Sequence, residues 1–216
     1  MINRFKIFLT LIALQGSCSL FAAIEKKLEM DVDSILSLPN NKIEAYSSKG
    51  SPGLLQQLKQ RAFDRDQGLS LRWKALVLAA KIGGIAMTSD LRQASRSADW
   101  YMRSASLAAA AQVSFTEALI LARKLVNDKA LVVRSAAVDI LGESEEVKDR
   151  EILWRVVDDN KNKRRGQSLR IRSQALNWLI KQASRKDIPN LIKILKEFIP
   201  LGAGTSVDSL YIAEMV

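Results

Sequence analysis

An arginine recurs along this chain at one helical address. Arg72, Arg103, Arg134 and Arg172 each open a segment with a small residue at +3, an aliphatic one at +4 and an apolar one at +7. The segments align without gaps: Arg72-Trp-Lys-Ala-Leu-Val-Leu-Ala79, Arg103-Ser-Ala-Ser-Leu-Ala-Ala-Ala110, Arg134-Ser-Ala-Ala-Val-Asp-Ile-Leu141 and Arg172-Ser-Gln-Ala-Leu-Asn-Trp-Leu179. The arginines stand 31, 31 and 38 residues apart, and the seven extra residues fall in the polar stretch Asp159 to Ser168, which reads as a lengthened loop. A unit that recurs at this period cannot bury its apolar stripe alone. It must stack on its neighbours, so the architecture is a one-dimensional array.

Periodicity makes each unit helical. Val133, Ala136, Ala137, Ile140 and Leu141 fall at i, i+3, i+4, i+7 and i+8, one stripe on a 3.6-residue period. The same offsets give Met102, Ala105, Ser106, Ala109 and Ala110, side chains small enough for close helix approach. A second helical pattern precedes each of these: Pro52 to Phe63, Ser89 to Ser97, Thr116 to Val126 and Asp149 to Val157. A further one, Ile188 to Phe198, follows the last. Ser51-Pro52 reads as an N-cap with Pro at the first helical position, Thr88-Ser-Asp90 as a helix start, and Gly83-Gly84 and Gly142 as helix ends. The expectation is an all-α solenoid of about four to five helix pairs.

Asp128-Lys-Ala-Leu-Val-Val-Arg134-Ser-Ala-Ala-Val-Asp-Ile-Leu-Gly142 resembles the signature of the HEAT-repeat (armadillo-like) family, and the resemblance extends over 52–198. It implies a right-handed superhelix that serves as a scaffold for partners. It also implies a structural ladder of hydrogen bonds between successive repeats, carried here by Asp66, Arg72, Arg103, Asp128, Arg134 and Arg172. Ser97 and Gly166 stand where the second and fourth repeats should supply the equivalent of Asp128, so the resemblance implies less rigid turns there.

The ends depart from the repeat. Residues 1–22 begin with Arg4 and Lys6, continue through the apolar run Ile7 to Leu14 and close on small residues, the pattern of a secretory signal peptide. The apolar run is well short of the roughly 20 residues a transmembrane helix needs. Cleavage between Ala22 and Ala23 fits this pattern. The alternative is lipidation of Cys18, which would anchor the chain to a membrane, although Gln15 stands where a lipobox usually has Leu. Residues 23–50 read as an N-terminal capping segment, 51–199 as the repeat domain and 200–216 as a tail or closing helix.

Composition bears on function by subtraction. The chain has no histidine, which excludes Ser-His-Asp and Cys-His catalysis and HExxH zinc sites. Its one cysteine excludes an internal disulfide or a thiolate zinc cluster. No phosphate-binding glycine loop occurs, and no catalytic, cofactor-binding or metal-ligating set is assigned. The acidic sets Asp31/Asp33, Asp64/Asp66, Glu143/Glu145/Glu146 and Asp158/Asp159 lie at helix edges or turns, where carboxylates cap or are solvated. Trp178 lies on the apolar stripe and reads as core, whereas Trp73, one residue past the repeat arginine, is on the side that the family resemblance places toward the concave groove, an anchor candidate if exposed.

Charge is unevenly spread. There are 33 basic and 23 acidic residues, a net charge of +10. Between Asn160 and Lys186 lie nine basic residues and no acidic one: Lys161, Lys163, Arg164, Arg165, Arg170, Arg172, Lys181, Arg185 and Lys186. Without these and without 1–22, the remaining chain has 22 basic against 23 acidic residues. The segment reads either as a solvated loop or as an anion-binding patch for another protein with an acidic surface, with Lys161, Lys163, Arg164, Arg165, Arg170 and Trp73 as partner-contacting candidates. Nucleic-acid binding by a DNA glycosylase-like fold is the alternative use of 160–186. The export signal and the single aromatic residue in the segment count against it.

Overall fold

The computed structural model describes residues 32–39, 42, 52–164 and 167–198. The chain divides into two compact units, 1–49 and 50–216. In the first, helix α1 (Val32–Ser37) buries Val32, Ile35 and Leu36. The expectations for the signal peptide, Cys18, Ala22, Ala23, Ser51, Arg165 and the 200–216 tail fall outside the described residues.

The second unit carries nine α-helices among its described residues. They alternate between first (A) and second (B) members of a pair: α2 (Pro52–Phe63) with α3 (Leu69–Gly83), α4 (Thr88–Ala94) with α5 (Trp100–Val113), α6 (Phe115–Leu125) with α7 (Leu131–Gly142), and α8 (Val147–Asp158) with α9 (Arg170–Lys181). Helix α10 (Ile188–Phe198) follows the fourth pair. Each A helix packs on its own B helix, and the B helices pack in succession, α3 on α5, α5 on α7 and α7 on α9. The fold is all-α, helices stacked in sequence as a helical solenoid requires.

Small side chains explain the close stacking of the B layer. Ala75, Ala79, Ala80, Ala105, Ala109, Ala110 and Ala137 are fully buried in it, with Leu76, Leu107, Val138 and Leu176 filling between them. Residues that end and start helices act by distinct means. Gly84, at φ +50°, adopts the left-handed conformation that stops α3, and its N–H returns to the Ala80 carbonyl. Thr88 opens α4, but its hydroxyl donates backward to the carbonyl of Ile85 (2.8 Å) and does not cap the helix. The short 3-10 turn Gly84–Met87 leads into α4 instead. Asp99 caps α5 by accepting the N–H of Tyr101 (2.9 Å).

The sequence expectation of a long loop before α9 is corrected. Residues 160–162 form a 3-10 turn, and Lys163–Arg164 (β1) pairs antiparallel with Gln167–Ser168 (β2), Lys163 opposite Ser168 and Arg164 opposite Gln167. Asn162 anchors the hairpin base, donating its side-chain amide to the Val156 carbonyl (2.9 Å), and its own carbonyl accepts from the Leu169 N–H (2.8 Å). The inserted residues therefore fold back as a β-hairpin on the A–B turn.

Candidate partner-binding site

The A–B turns hold a ladder of arginines whose rungs differ. Arg103 is 6% exposed, and its Nε and Nη2 grip Asp128 of the next turn at 2.6 and 2.8 Å. Its Nη1 donates to the carbonyls of Ser97 and Ala98 (2.8 and 2.9 Å). Every donor face of that guanidinium is engaged, a planar bidentate arrangement that lysine could not reproduce. The bond from Arg103 holds the Asp128 carboxyl below the ordinary carboxylate range despite its burial. Arg72 reaches Asp99 (3.4 Å) and the Ala62 carbonyl (3.2 Å). The second turn thus has a carboxylate after all: Asp99, two residues beyond Ser97. Asp66 makes no ion pair with any described residue. In its turn Asp64 is the structural carboxylate, accepting the N–H of Asp66 (3.0 Å).

The third rung is open. Arg134 donates through Nη1 to the carbonyls of Asp128 and Lys129 (2.8 and 3.2 Å), but its buried Nε has no partner among the described residues. Nε and Nη2 are the atoms with which Arg103 holds Asp128. In the fourth turn Asp159 carries the same local bond as Asp128, accepting an N–H two residues on (Lys161, 2.9 Å), yet it makes no contact with Arg134. Arg172, 1% exposed, donates through Nε to the Val157 carbonyl (2.8 Å) and is a structural member of the basic segment.

The other basic residues separate into two groups. Lys161, Arg164 and Arg170 are exposed at the N-terminal end of α9, and Lys161 lies 3.8 Å from Asp159. Lys163 is half-buried. Lys181 lies at the other end of α9, about 17 Å away at 1.5 Å per residue, and Arg185 and Lys186 lie beyond it. The stretch that is continuous in sequence is therefore not one patch in space.

Tryptophans take varied roles. Trp178 is half-buried, not core: its ring lies against Gly142, its Nε1 donates to Asp139 (3.3 Å), and Lys181 Nζ sits 4.7 Å from the ring centroid. Trp73 is half-buried on α3, and Trp154 donates to Asp187 (3.2 Å). Trp100, at the first position of α5, is 43% exposed.

A second ladder, linking successive A helices, escaped the sequence reading. Lys59 pairs with Asp90 (2.9 Å), Arg92 grips Glu117 (2.8 and 3.0 Å), Arg123 grips Asp149 (2.6 and 2.7 Å) and reaches Glu146 (2.7 Å), and Arg150 pairs with Asp187 (2.6 Å). Asp149 is fully buried and also accepts the Ser144 hydroxyl (2.6 Å). Burial pushes its carboxyl up, but the bonds from Arg123 and Ser144 outweigh that and hold it low. The only signal in the sequence was a basic residue on each A helix with an acidic one about 25 to 37 positions on. That spacing is too variable to register as a repeat. No group of three His, Cys, Asp or Glu among the described residues is arranged to hold a metal ion.

Helix pairs stacked in sequence are the structural form that the sequence resemblance implied. Residues 88–170 form a HEAT-repeat domain. The family described as HEAT repeats matches this stretch, from the first residue of α4 through the hairpin to the first residue of α9. HEAT repeats are generally non-catalytic scaffolds that mediate protein binding. No curated protein matches the chain.

Proposed function

We propose that this chain is a non-enzymatic scaffold of the bacterial cell envelope that binds another protein through an acidic surface at the fourth A–B turn. One observation carries the reading: Arg134, on α7 in the third turn, has a fork to which the fourth turn brings no carboxylate, and the fourth turn exposes Arg164 and Arg170, whereas Arg103 has its carboxylate. A buried guanidinium nitrogen without a partner costs free energy, and an incoming carboxylate would remove that cost while the exposed arginines steer its approach. Trp73 on α3 is the proposed apolar contact of the same partner. Arg164→Glu with Arg165→Glu tests the site: binding of an acidic partner at low salt should fall, and unchanged binding would remove the fourth turn from the function.

Location belongs to the same proposal. Residues 1–22 have the export pattern, and none of the described helices is long and apolar enough to cross a membrane. Mass spectrometry of the mature N-terminus separates the outcomes: a start at Ala23 supports export, a lipid-modified Cys18 supports membrane anchoring, and retained Met1 overturns both.

A further inference from the structure

A cleft of about 900 Å³ runs along α4, away from the fourth turn. Helix α4 has seven residues, against 11 or 12 in α2, α6, α8 and α10. Its walls carry four arginines and no carboxylate: Arg65 from the α2–α3 turn, Arg72 from the first turn of α3, Arg92 from α4 and Arg96 just beyond it. Two of these charges are answered from behind the wall, Arg72 by Asp99 and Arg92 by Glu117. Arg65 and Arg96 are exposed, and their side chains make no hydrogen bond or ion pair with any described residue. The cleft therefore holds a surplus of two positive charges in planar forks suited to carboxylates. Phe63 and Ile85 supply apolar surface beside them, and Ile85 is 73% exposed at the rim.

We propose that this cleft binds an acidic peptide segment of a partner protein, carboxylates on Arg65 and Arg96 and an apolar side chain against Ile85 and Phe63. The volume lies near the upper end of the range for ligand pockets, about 300–1,000 Å³, so it accommodates a short chain segment and not only a single ion. Guanidinium groups beside apolar surface fit a segment that mixes carboxylates with a bulky apolar residue. A bare phosphate would use only the charge. The site shares no residue with the fourth turn, so it stands or falls separately from the function proposed above.

The test uses the full chain, labelled with 15N, and the synthetic peptide Glu-Glu-Leu-Glu-Glu as probe. Amide shifts at Ser89, Arg96 and Ala98 on titration are the expected result. Arg65→Glu with Arg96→Glu should weaken this binding by at least about tenfold, or about 1.4 kcal/mol. Arg164→Glu with Arg165→Glu should leave the cleft shifts intact. Both cleft residues are exposed and unpaired, so the fold should survive, and Arg65→Gln with Arg96→Gln provides a milder variant with an intermediate loss. Shifts confined to 160–170, affinity unaffected by the cleft variants, or equal shifts with inorganic phosphate at the same concentration would each overturn the proposal.

Discussion

Replacing Asp128 by Asn tests whether the inner ladder holds the repeats together. The Asp128 side chain is 7% exposed and accepts Arg103 Nε and Nη2 at 2.6 and 2.8 Å, with the Ala130 N–H at 2.8 Å. Asparagine keeps the shape but turns one acceptor into a donor that faces the guanidinium. Removing one member of a buried pair costs about 3–5 kcal/mol. The lower end applies here, because Arg103 Nη1 keeps its two carbonyls at 2.8 and 2.9 Å. At roughly 2–4 °C per kcal/mol for a domain of this size, a loss of about 3 kcal/mol lowers Tm by about 6–12 °C. Urea unfolding monitored by circular dichroism measures the same loss, and an unchanged m-value confirms that cooperativity persists. Arg134→Met is the internal control: with no carboxylate on that rung, it should cost only about 1 kcal/mol. The pH dependence has a definite sign. Arg103 depresses the Asp128 carboxyl, so its contribution is present above the unfolded value, about 3.9, and is lost as pH falls through the folded value. The gap between wild type and Asp128→Asn should therefore narrow in acid. A loss under about 0.5 kcal/mol, the scale of an exposed pair, would refute the reasoning, as would an equal loss from Arg134→Met.

Further outcomes follow from other contacts. Arg123→Met strands the fully buried Asp149, so it should destabilise by about 3–5 kcal/mol, whereas Lys193→Met, whose exposed pair with Asp158 is 3.1 Å long, should leave chemical denaturation unchanged. Gly142→Ala places a methyl group into the Trp178 indole; the expected loss is about 1–3 kcal/mol with a shift in tryptophan emission, read by thermal melts and fluorescence. Burial raises the Asp187 carboxyl, but Arg150 and the Ser184 N–H and hydroxyl overcome this and hold it at about 2, so its stabilisation is complete above the unfolded value and fades as pH falls toward 2. Acid titration of Arg150→Met, in which this support is gone, should show a shallower decline below about pH 4.

The helices were legible because their period is local. The spans Pro52–Phe63 and Ile188–Phe198 follow from apolar spacing and from Pro at a helix start, signals within one or two turns of the residues they govern. Signals that depend on neighbours across repeats were not. Asp99 stands two positions from where alignment placed the rung carboxylate, and only the path of the turn shows that it reaches Arg72. Trp178 lies on the apolar stripe by position, yet Asp139 on the facing helix draws its Nε1 toward the edge. The hairpin was hidden because Lys163-Arg164 and Gln167-Ser168 carry no apolar alternation. Their pairing is fixed by the anchor at Asn162 and not by a buried face.

The two layers of this solenoid are held by different physics, and the fourth repeat differs from the others in that balance. Between α3 and α5, and again between α5 and α7, small buried side chains bring the B helices together and a filled arginine rung ties their turns. Between α7 and α9 the rung is empty, and polar contacts stand in its place: Ser135 donates to Gln174 (2.7 Å), Gln174 donates to Asp139, and Gln182 donates to the Gly142 carbonyl (2.9 Å). The outer ladder continues unbroken past that junction through Arg150 and Asp187. The fourth repeat is thus fixed firmly on its A side, while the Arg134 guanidinium of the third repeat keeps a buried Nε that no described residue of the fourth turn fills. A scaffold that filled every rung internally would be more stable there, but it would have no buried charge left to offer a partner.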